Sequence, residues 1–478
     1  MHKILAAAVG ISFLPGLALA QSLEDIAKAM GADRITTIEY AGTGDFHALG
    51  QSLQPGDRWP LFKMVEYKAT INYGGDGAMI QRILVIQGEH PPRGGGRQPV
   101  KGKQSRSGAI AGEIGWSPSA RPTPARETAP LIHALWTSPH GVIKAALAQK
   151  SPIVIKTVDG KEYKTVAFAR KGAFSAIGWF DKTNVLRGVD ARVANPVYGD
   201  MKVTSHYSDY KTVDGIAFPM RIRVIAEGQP LLDLRVSKIT PNAPAEIKAP
   251  EGLRRPGHRV TMEEAAKGVW FVAGGSHNSV AIDHGDHVTV VEGPLNDGRS
   301  MAVIAAVKKT IPGKPIRFVV NSHHHFDHSG GLRGFVNEGA TVVTHKINVS
   351  FYQQAYRAPR TVDPDLLATS RKTAKFVGIG DKHVMGAGDN ALELHLLKGS
   401  THNTGLIIGY MPAHKILIVA DAYSGREHLS APVAEPEHAA TNLLENIARL
   451  KLDVAKVLPL HGAMMDFAQV RMAGGQAP

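Results

Sequence analysis

The chain has 478 residues, with 55 Lys and Arg against 42 Asp and Glu for a formal charge of +13, and 43% of its residues are apolar. That is too much material for one ordinary domain and enough for two cores. It contains no cysteine, which excludes disulfides and a thiol nucleophile while remaining compatible with an oxidising compartment. In chain order, Met1-His2-Lys3, the apolar stretch Ile4 to Leu19 and the end Ala18-Leu19-Ala20 have the basic start, short apolar segment and A-x-A site of a secretory signal peptide. Cleavage is expected after Ala20, with a periplasmic or secreted location. Gly10, Pro15 and Gly16 make the stretch shorter and more interrupted than a spanning helix needs. Gln21 rather than Cys after the site argues against lipidation.

Residues 21–255 read as a β-rich N-terminal domain. Helices are expected at Leu23 to Met30 and Gly141 to Lys150, and strands at Lys63 to Tyr73, Met201 to Tyr207, Ile216 to Ala226 and Leu231 to Ile239. Asp214-Gly215 supplies a turn between two of them, and Pro219 predicts an edge position for its strand. The segment Tyr207 to Val224 resembles the repeating strands of open half-barrels that carry lipoproteins in the periplasm; the plainer reading is a β domain that shapes the mouth of its neighbour. About half of the excess positive charge lies between Arg93 and Arg126, opposed only by Glu113. This stretch is rich in Gly, Pro and Ser, with Trp116 its one aromatic residue, so it reads as a solvated loop or flap and not as a nucleic-acid face. Pro241 to His258 holds four prolines and is the expected boundary, with a catalytic domain at 256–478.

The chemistry is concentrated after that boundary. Ile316 to Val320 is a β-branched apolar strand, and the run Asn321-Ser322-His323-His324-His325-Phe326-Asp327-His328 begins where it ends. In extended backbone, residues two apart point the same way. His323 and His325 can therefore grip one ion, while Asp327 and His328 reach a second. Gly330-Gly331 then lets the chain turn. Leu392 to Leu397 leads into a small-residue loop, Lys398 to Gly405, that carries His402 ahead of a strand at Leu406 to Tyr410. Lys415 to Ala420 ends at Asp421, and Val457 to Leu460 ends at His461. Each candidate follows an apolar strand. His345, His383, His395 and His414 lack that setting and read as ordinary surface or core residues.

Over roughly residues 260 to 470, His323-x-His325-x-Asp327-His328 followed by His402, Asp421 and His461 resembles the metal motifs of the metallo-β-lactamase fold hydrolases. The resemblance implies an αββα sandwich with two Zn(2+) ions. One would be held by His323, His325 and His402, the other by Asp327, His328 and His461, with Asp421 between them. Glu292, ending the strand Val288 to Val291, falls where the family often has an Asp that orients the metal-binding loop. The implied activity is metal-dependent hydrolysis of an ester, lactone, thioester or phosphoester by a metal-bridging hydroxide, with Asp327 relaying the proton. Iron or manganese would also accept these ligands. β-Lactamases of the fold usually carry Cys or Ser where this chain has Asp421, so β-lactam hydrolysis is an alternative, as is an iron-dependent oxidoreductase on the same fold. The expected partner is a small-molecule substrate, with no nucleic acid and no transmembrane segment in the mature chain. Because all seven candidate ligands lie after residue 320, metal binding is expected to need nothing upstream.

Overall fold

A computed structural model describes residues 22–158, 160–253, 258–424 and 428–478. The expected signal peptide, residues 1–20, and the expected boundary between 255 and 256 lie outside the described residues. The first described element is the helix Leu23–Met30. Ser22 caps it: its side chain accepts from the Asp25 N–H while the Asp25 carboxylate accepts from the Ser22 N–H, satisfying two amides that a helix start leaves open. Ile26, Ala27 and Met30 form its buried face.

Residues 37–241 build a 14-stranded antiparallel sheet. It consists of two meanders joined by their ends, because the first strand, Thr37–His47, pairs with the last, Gln229–Pro241. The expected strand Ile216–Ala226 is present, Leu231 to Ile239 lies within the longer Gln229–Pro241, and Met201 to Tyr207 lies within the longer Gly199–Val213. Pro219 does not sit on an edge strand. Ile216–Ala226 runs between Gly199–Val213 and Gln229–Pro241, but the pairing with Gln229–Pro241 starts only at Arg221, so Pro219 lies where its strand has one neighbour, Tyr210 opposite it. A missing N–H costs nothing there.

The helices Leu23–Met30, Ala129–Trp136 and Pro139–Ala148 pack onto this sheet. Ile26, Met30, Leu135, Trp136 and Val142 share one core with Phe62, Phe174, Phe180 and Phe218. The basic stretch is more ordered than a solvated loop: it includes the strands Gly108–Ala111 and Ile114–Ser117, and Trp116 is buried.

From Thr261 onward the chain forms two further β-sheets that pack face to face. A seven-stranded sheet runs from Thr261–Ala266 to Phe376–Ile379, and a six-stranded one from Lys382–Met385 to Met465–Asp466. Val280, Val291, Val320 and Val343 of the first sheet meet Leu394, Ile408, Ile418 and Leu458 of the second in the central core. The helices Asp297–Thr310 and Leu332–Glu338 cover the outer face of the first sheet through Val303, Ile304, Val307 and Phe335. His438–Leu450 covers the second through Leu443 and Ile447. Alternation along each strand feeds both layers, as with Val319 outward and Val320 inward. No helix among the described residues is long and apolar enough to cross a membrane.

Candidate metal centre

The strand ends expected to carry ligands converge at one edge of the two sheets. Ile316–Val320 and Ile416–Val419 form as anticipated, and Lys456–Pro459 runs parallel to the latter. Their downstream ends therefore face the same way and place Asn321 to His328, Asp421 and His461 together. Phe326–Ser329 is a single helical turn that swings Asp327 and His328 past His323 and His325.

Three groups of side chains result: His323, His325, His402 and Asp421; His277, Asp327, His328 and His461; and Glu292, His323 and His328, which lies between the first two. In the first, His323 Nε2 lies 3.0 Å from His325 Nδ1 and 3.2 Å from His402 Nε2. Asp421 Oδ2 is 2.9 Å from His402 Nε2. In the second, His461 Nε2 lies 3.1 Å from His328 Nε2, and Asp421 Oδ1 is 2.8 Å from His461 Nε2 and 3.2 Å from His328 Nε2. Asp421 thus turns one oxygen to each of these two groups. All seven residues named from the sequence are brought together. His277 joins them and was not anticipated, although its setting repeats the signature of the His402 loop: the strand Val269–Ala273 ends in Gly274-Gly275-Ser276-His277.

These donors suit a metal. Bonds of 2.0–2.1 Å from zinc to imidazole nitrogen put neighbouring ligand atoms about 3.3 Å apart in a tetrahedron, close to the separations above. The far ring nitrogens are occupied, which aims the near ones inward. His323 Nδ1 meets Ser322 Oγ at 2.9 Å, His325 Nε2 meets the Ser52 carbonyl at 2.8 Å, His328 Nδ1 meets Glu292 Oε2 at 3.1 Å, and His461 Nδ1 meets the Ser276 carbonyl at 2.8 Å. Such outer partners fix ring orientation and tautomer.

The electrostatics point the same way. Burial holds His323 and His325 well below the usual imidazole range, which favours the neutral form that a metal donor needs. Burial acts equally against charge on His328, yet the Asp421 and Asp327 carboxylates override it and push that imidazole well above its ordinary value. Burial would raise Asp421 and Asp327 themselves, but His328 and neighbouring histidines hold both well below the carboxylate range. The pocket calls for positive charge, which is what divalent cations provide.

Glu292 sits where the strand Val288–Val291 ends, 1% exposed, in the left-handed region at φ 81°. Its carboxylate accepts from Asn321 Nδ2 at 3.1 Å, from the Ser322 N–H at 3.3 Å and from the Ser322 hydroxyl, besides facing His328. With both oxygens engaged it ties the metal-binding loop down. Glu292→Gln is expected to weaken metal binding roughly 10- to 100-fold, the range for loss of such outer partners. Competition with a chromogenic chelator measures this, and unchanged affinity would remove Glu292 from that role.

The metal-ligand candidates all lie after residue 320, yet the centre is in contact with residues far upstream of them. The N-terminal region reaches into the centre through residues 51–53 and 94–96. The Ser52 carbonyl fixes His325, and Gln51 Nε2 donates to Asp327 Oδ1 at 2.9 Å, while Oδ2 faces His277 Nε2 at 3.2 Å. Ser52 Oγ and Asn403 Nδ2 hold the two nitrogens of His324 at 3.0 and 2.9 Å. His324 therefore belongs to neither donor group and links residue 52 to residue 403. The Gly94 N–H donates to the Thr401 carbonyl beside His402, the Gly95 N–H to the Gln51 carbonyl, and the Thr404 N–H to the Leu53 carbonyl. The Gly96 N–H donates to Gln51 Oε1. The three glycines of the basic stretch thus form a wall of the centre. Of the histidines set aside, His395 meets Glu393 and His414 meets Asn390, both away from this edge.

Residues 272–461 match the family model described as metallo-beta-lactamase superfamily. A curated relative, 2,4-dinitroanisole O-demethylase subunit alpha from Nocardioides sp. (strain JS1661), is 25% identical over 162 residues, 34% of this chain and 46% of that protein; the chain spans about half the length of this relative. A metallo-beta-lactamase from Pseudomonas aeruginosa in its mono-zinc form is similar at 18% identity and a TM-score of 0.35, covering 46% of this chain and 95% of that one. One from Hirschia baltica is similar at 21% identity and a TM-score of 0.34, covering 45% and 96%. A flavodiiron core from Synechocystis sp. is similar at 12% identity and a TM-score of 0.35, covering 45% and 60%.

Proposed function

We propose, from the premise that residues 272–461 form a metallo-beta-lactamase superfamily domain, that the chain is a dinuclear metal-dependent hydrolase, with zinc as its ions and an ester, lactone, thioester or phosphoester as its substrate. The observation that carries this reading is the division of Asp421 between two donor groups, Oδ2 to His402 and Oδ1 to His328 and His461. A carboxylate so shared holds two ions at a fixed spacing. When bound, two such ions activate a water at neutral pH and polarise the carbonyl or phosphoryl oxygen under attack.

The chain's own residues do the rest. His323, His325 and His402 hold the first ion, and Asp327, His328 and His461 the second. Asp327 Oδ1 is anchored by Gln51, so Oδ2 keeps one orientation towards the cleft, from which it can take the proton of the attacking water and return it to the leaving group. Glu292 and Ser52 keep the rings of His328 and His325 from turning. The triglycine wall limits access of solvent and substrate from the side of the N-terminal region.

Chelation is expected to abolish turnover and added zinc to restore it, with two ions bound per chain at full activity. A panel of lactone, thioester, phosphodiester, β-lactam and aryl methyl ether substrates assigns the class, the last chosen because a relative's name records O-demethylation. Bound iron together with oxygen uptake would replace the hydrolytic reading with an oxidative one. Export with Gln21 as the new N-terminus belongs to the same proposal. N-terminal sequencing of periplasmic protein tests it, and a retained Met1 there would contradict it.

A further inference from the structure

We propose that His277 is an additional ligand of the second ion, bound through Nε2 and held in place by a loop stapled to the His461 strand end. The inference rests on the dinuclear reading above. His277 is 1% exposed, and its Nε2 belongs to the group formed with Asp327, His328 and His461. It lies 3.2 Å from Asp327 Oδ2, a separation like those among the other donors. Its ring meets that of His461 edge-on, with centroids 4.3 Å apart.

The loop carrying it is over-determined. Asn278 donates its backbone N–H to the Leu460 carbonyl at 2.9 Å and its side-chain amide to the carbonyls of Pro459 and Gly462 at 3.0 and 2.8 Å. Arg299 Nη1 donates to the His277 carbonyl at 3.2 Å. Ser276 serves both histidines at once: its carbonyl holds His461 Nδ1 at 2.8 Å and its hydroxyl meets His277 Nδ1 at 3.0 Å. With the proton on Nδ1 and donated to that hydroxyl, His277 Nε2 presents a lone pair to the cleft, as the ligand nitrogens do. The competing arrangement puts the proton on Nε2, donated to Asp327, and leaves His277 as a positioning residue.

Ligation by His277 makes the two ions unequal. The second would have five donors: His277, Asp327, His328, His461 and a share of Asp421. The first would have four: His323, His325, His402 and the other share of Asp421. The second ion, with more donors, is therefore the last to leave on chelation.

Proton NMR of the full chain loaded with cobalt(II) tests this without reference to activity. Each ligated imidazole contributes one shifted, exchangeable ring N–H, so six such signals are expected if His277, His323, His325, His328, His402 and His461 all ligate. Five signals, with two ions bound, would overturn the proposal and leave the dinuclear reading intact. Failure to bind two ions would overturn both. In a second measurement, His277→Gln, which retains a donor for Asp327, should lose second-ion affinity as severely as His277→Ala, by more than about 100-fold, beyond the range for an outer hydrogen bond. Full rescue by Gln would assign His277 to positioning Asp327 instead.

Discussion

Asp421→Ala is expected to reduce bound metal from two ions to one or fewer and to lower turnover by at least about 100-fold, the scale seen when one preorganised electrostatic partner is removed from a site. Asp421 turns one carboxylate oxygen to each donor group, so its loss is expected to affect both ions. The fold should survive, because Asp421 follows the strand Ile416–Val419 and contributes nothing to the apolar core on either side. Metal content by mass spectrometry, with circular dichroism to verify folding, reads the two effects separately. Retention of both ions and of turnover would remove Asp421 from the centre.

Gly95→Val is expected to disable the first ion's site from the other domain. A Cβ at Gly95 would lie 2.1 Å from Gln51 Oε1 and 2.8 and 2.9 Å from Cε1 and Nδ1 of His325, distances that real side chains do not tolerate. Either the glycine wall retreats or His325 rotates and withdraws its metal-facing nitrogen. Overpacking of this kind costs about 1–3 kcal/mol, equivalent to roughly a 5- to 150-fold loss of first-ion affinity if the strain is relieved at His325. Gly380→Val, where an added Cβ meets nothing within 4 Å, serves as the control and should bind metal as the parent does. Equal metal affinity in the two variants would show that the N-terminal wall is not part of the centre.

The ligand set was legible because each member follows an apolar strand, and because parallel pairing of Ile416–Val419 with Lys456–Pro459 carries strand ends to one edge. His277 obeys the same rule. Yet a single histidine in a Gly-Ser loop, far upstream of the other candidates, carries no spacing motif. The N-terminal contribution had no signal at all. Gln51 meets Asp327 across 276 residues of sequence, and Ser52 acts on His325 through a backbone carbonyl, which any residue possesses.

The N-terminal sheet was legible where alternation was clean, as at Met201 to Tyr207. Its outer strand Ile153–Val158 has Val154, Ile155 and Val158 half-exposed on successive and opposite positions, while Lys164 and Thr165 of the adjoining strand are buried. That pattern reads as neither a strand face nor a helix face. The high charge of the stretch between Arg93 and Arg126 likewise masked the short strands around the buried Trp116.

The central claim is a two-ion centre divided by Asp421 and completed by the N-terminal region. It is tested most directly by a crystal structure of the full chain loaded with zinc, with anomalous scattering recorded at the zinc edge. The account predicts two peaks, about 3.5–4 Å apart as in other two-metal sites, one among His323, His325 and His402, the other among Asp327, His328 and His461, with an Asp421 oxygen on each and Ser52 still bonded to His325. A single peak, or two peaks with Asp421 bound to neither, would contradict it.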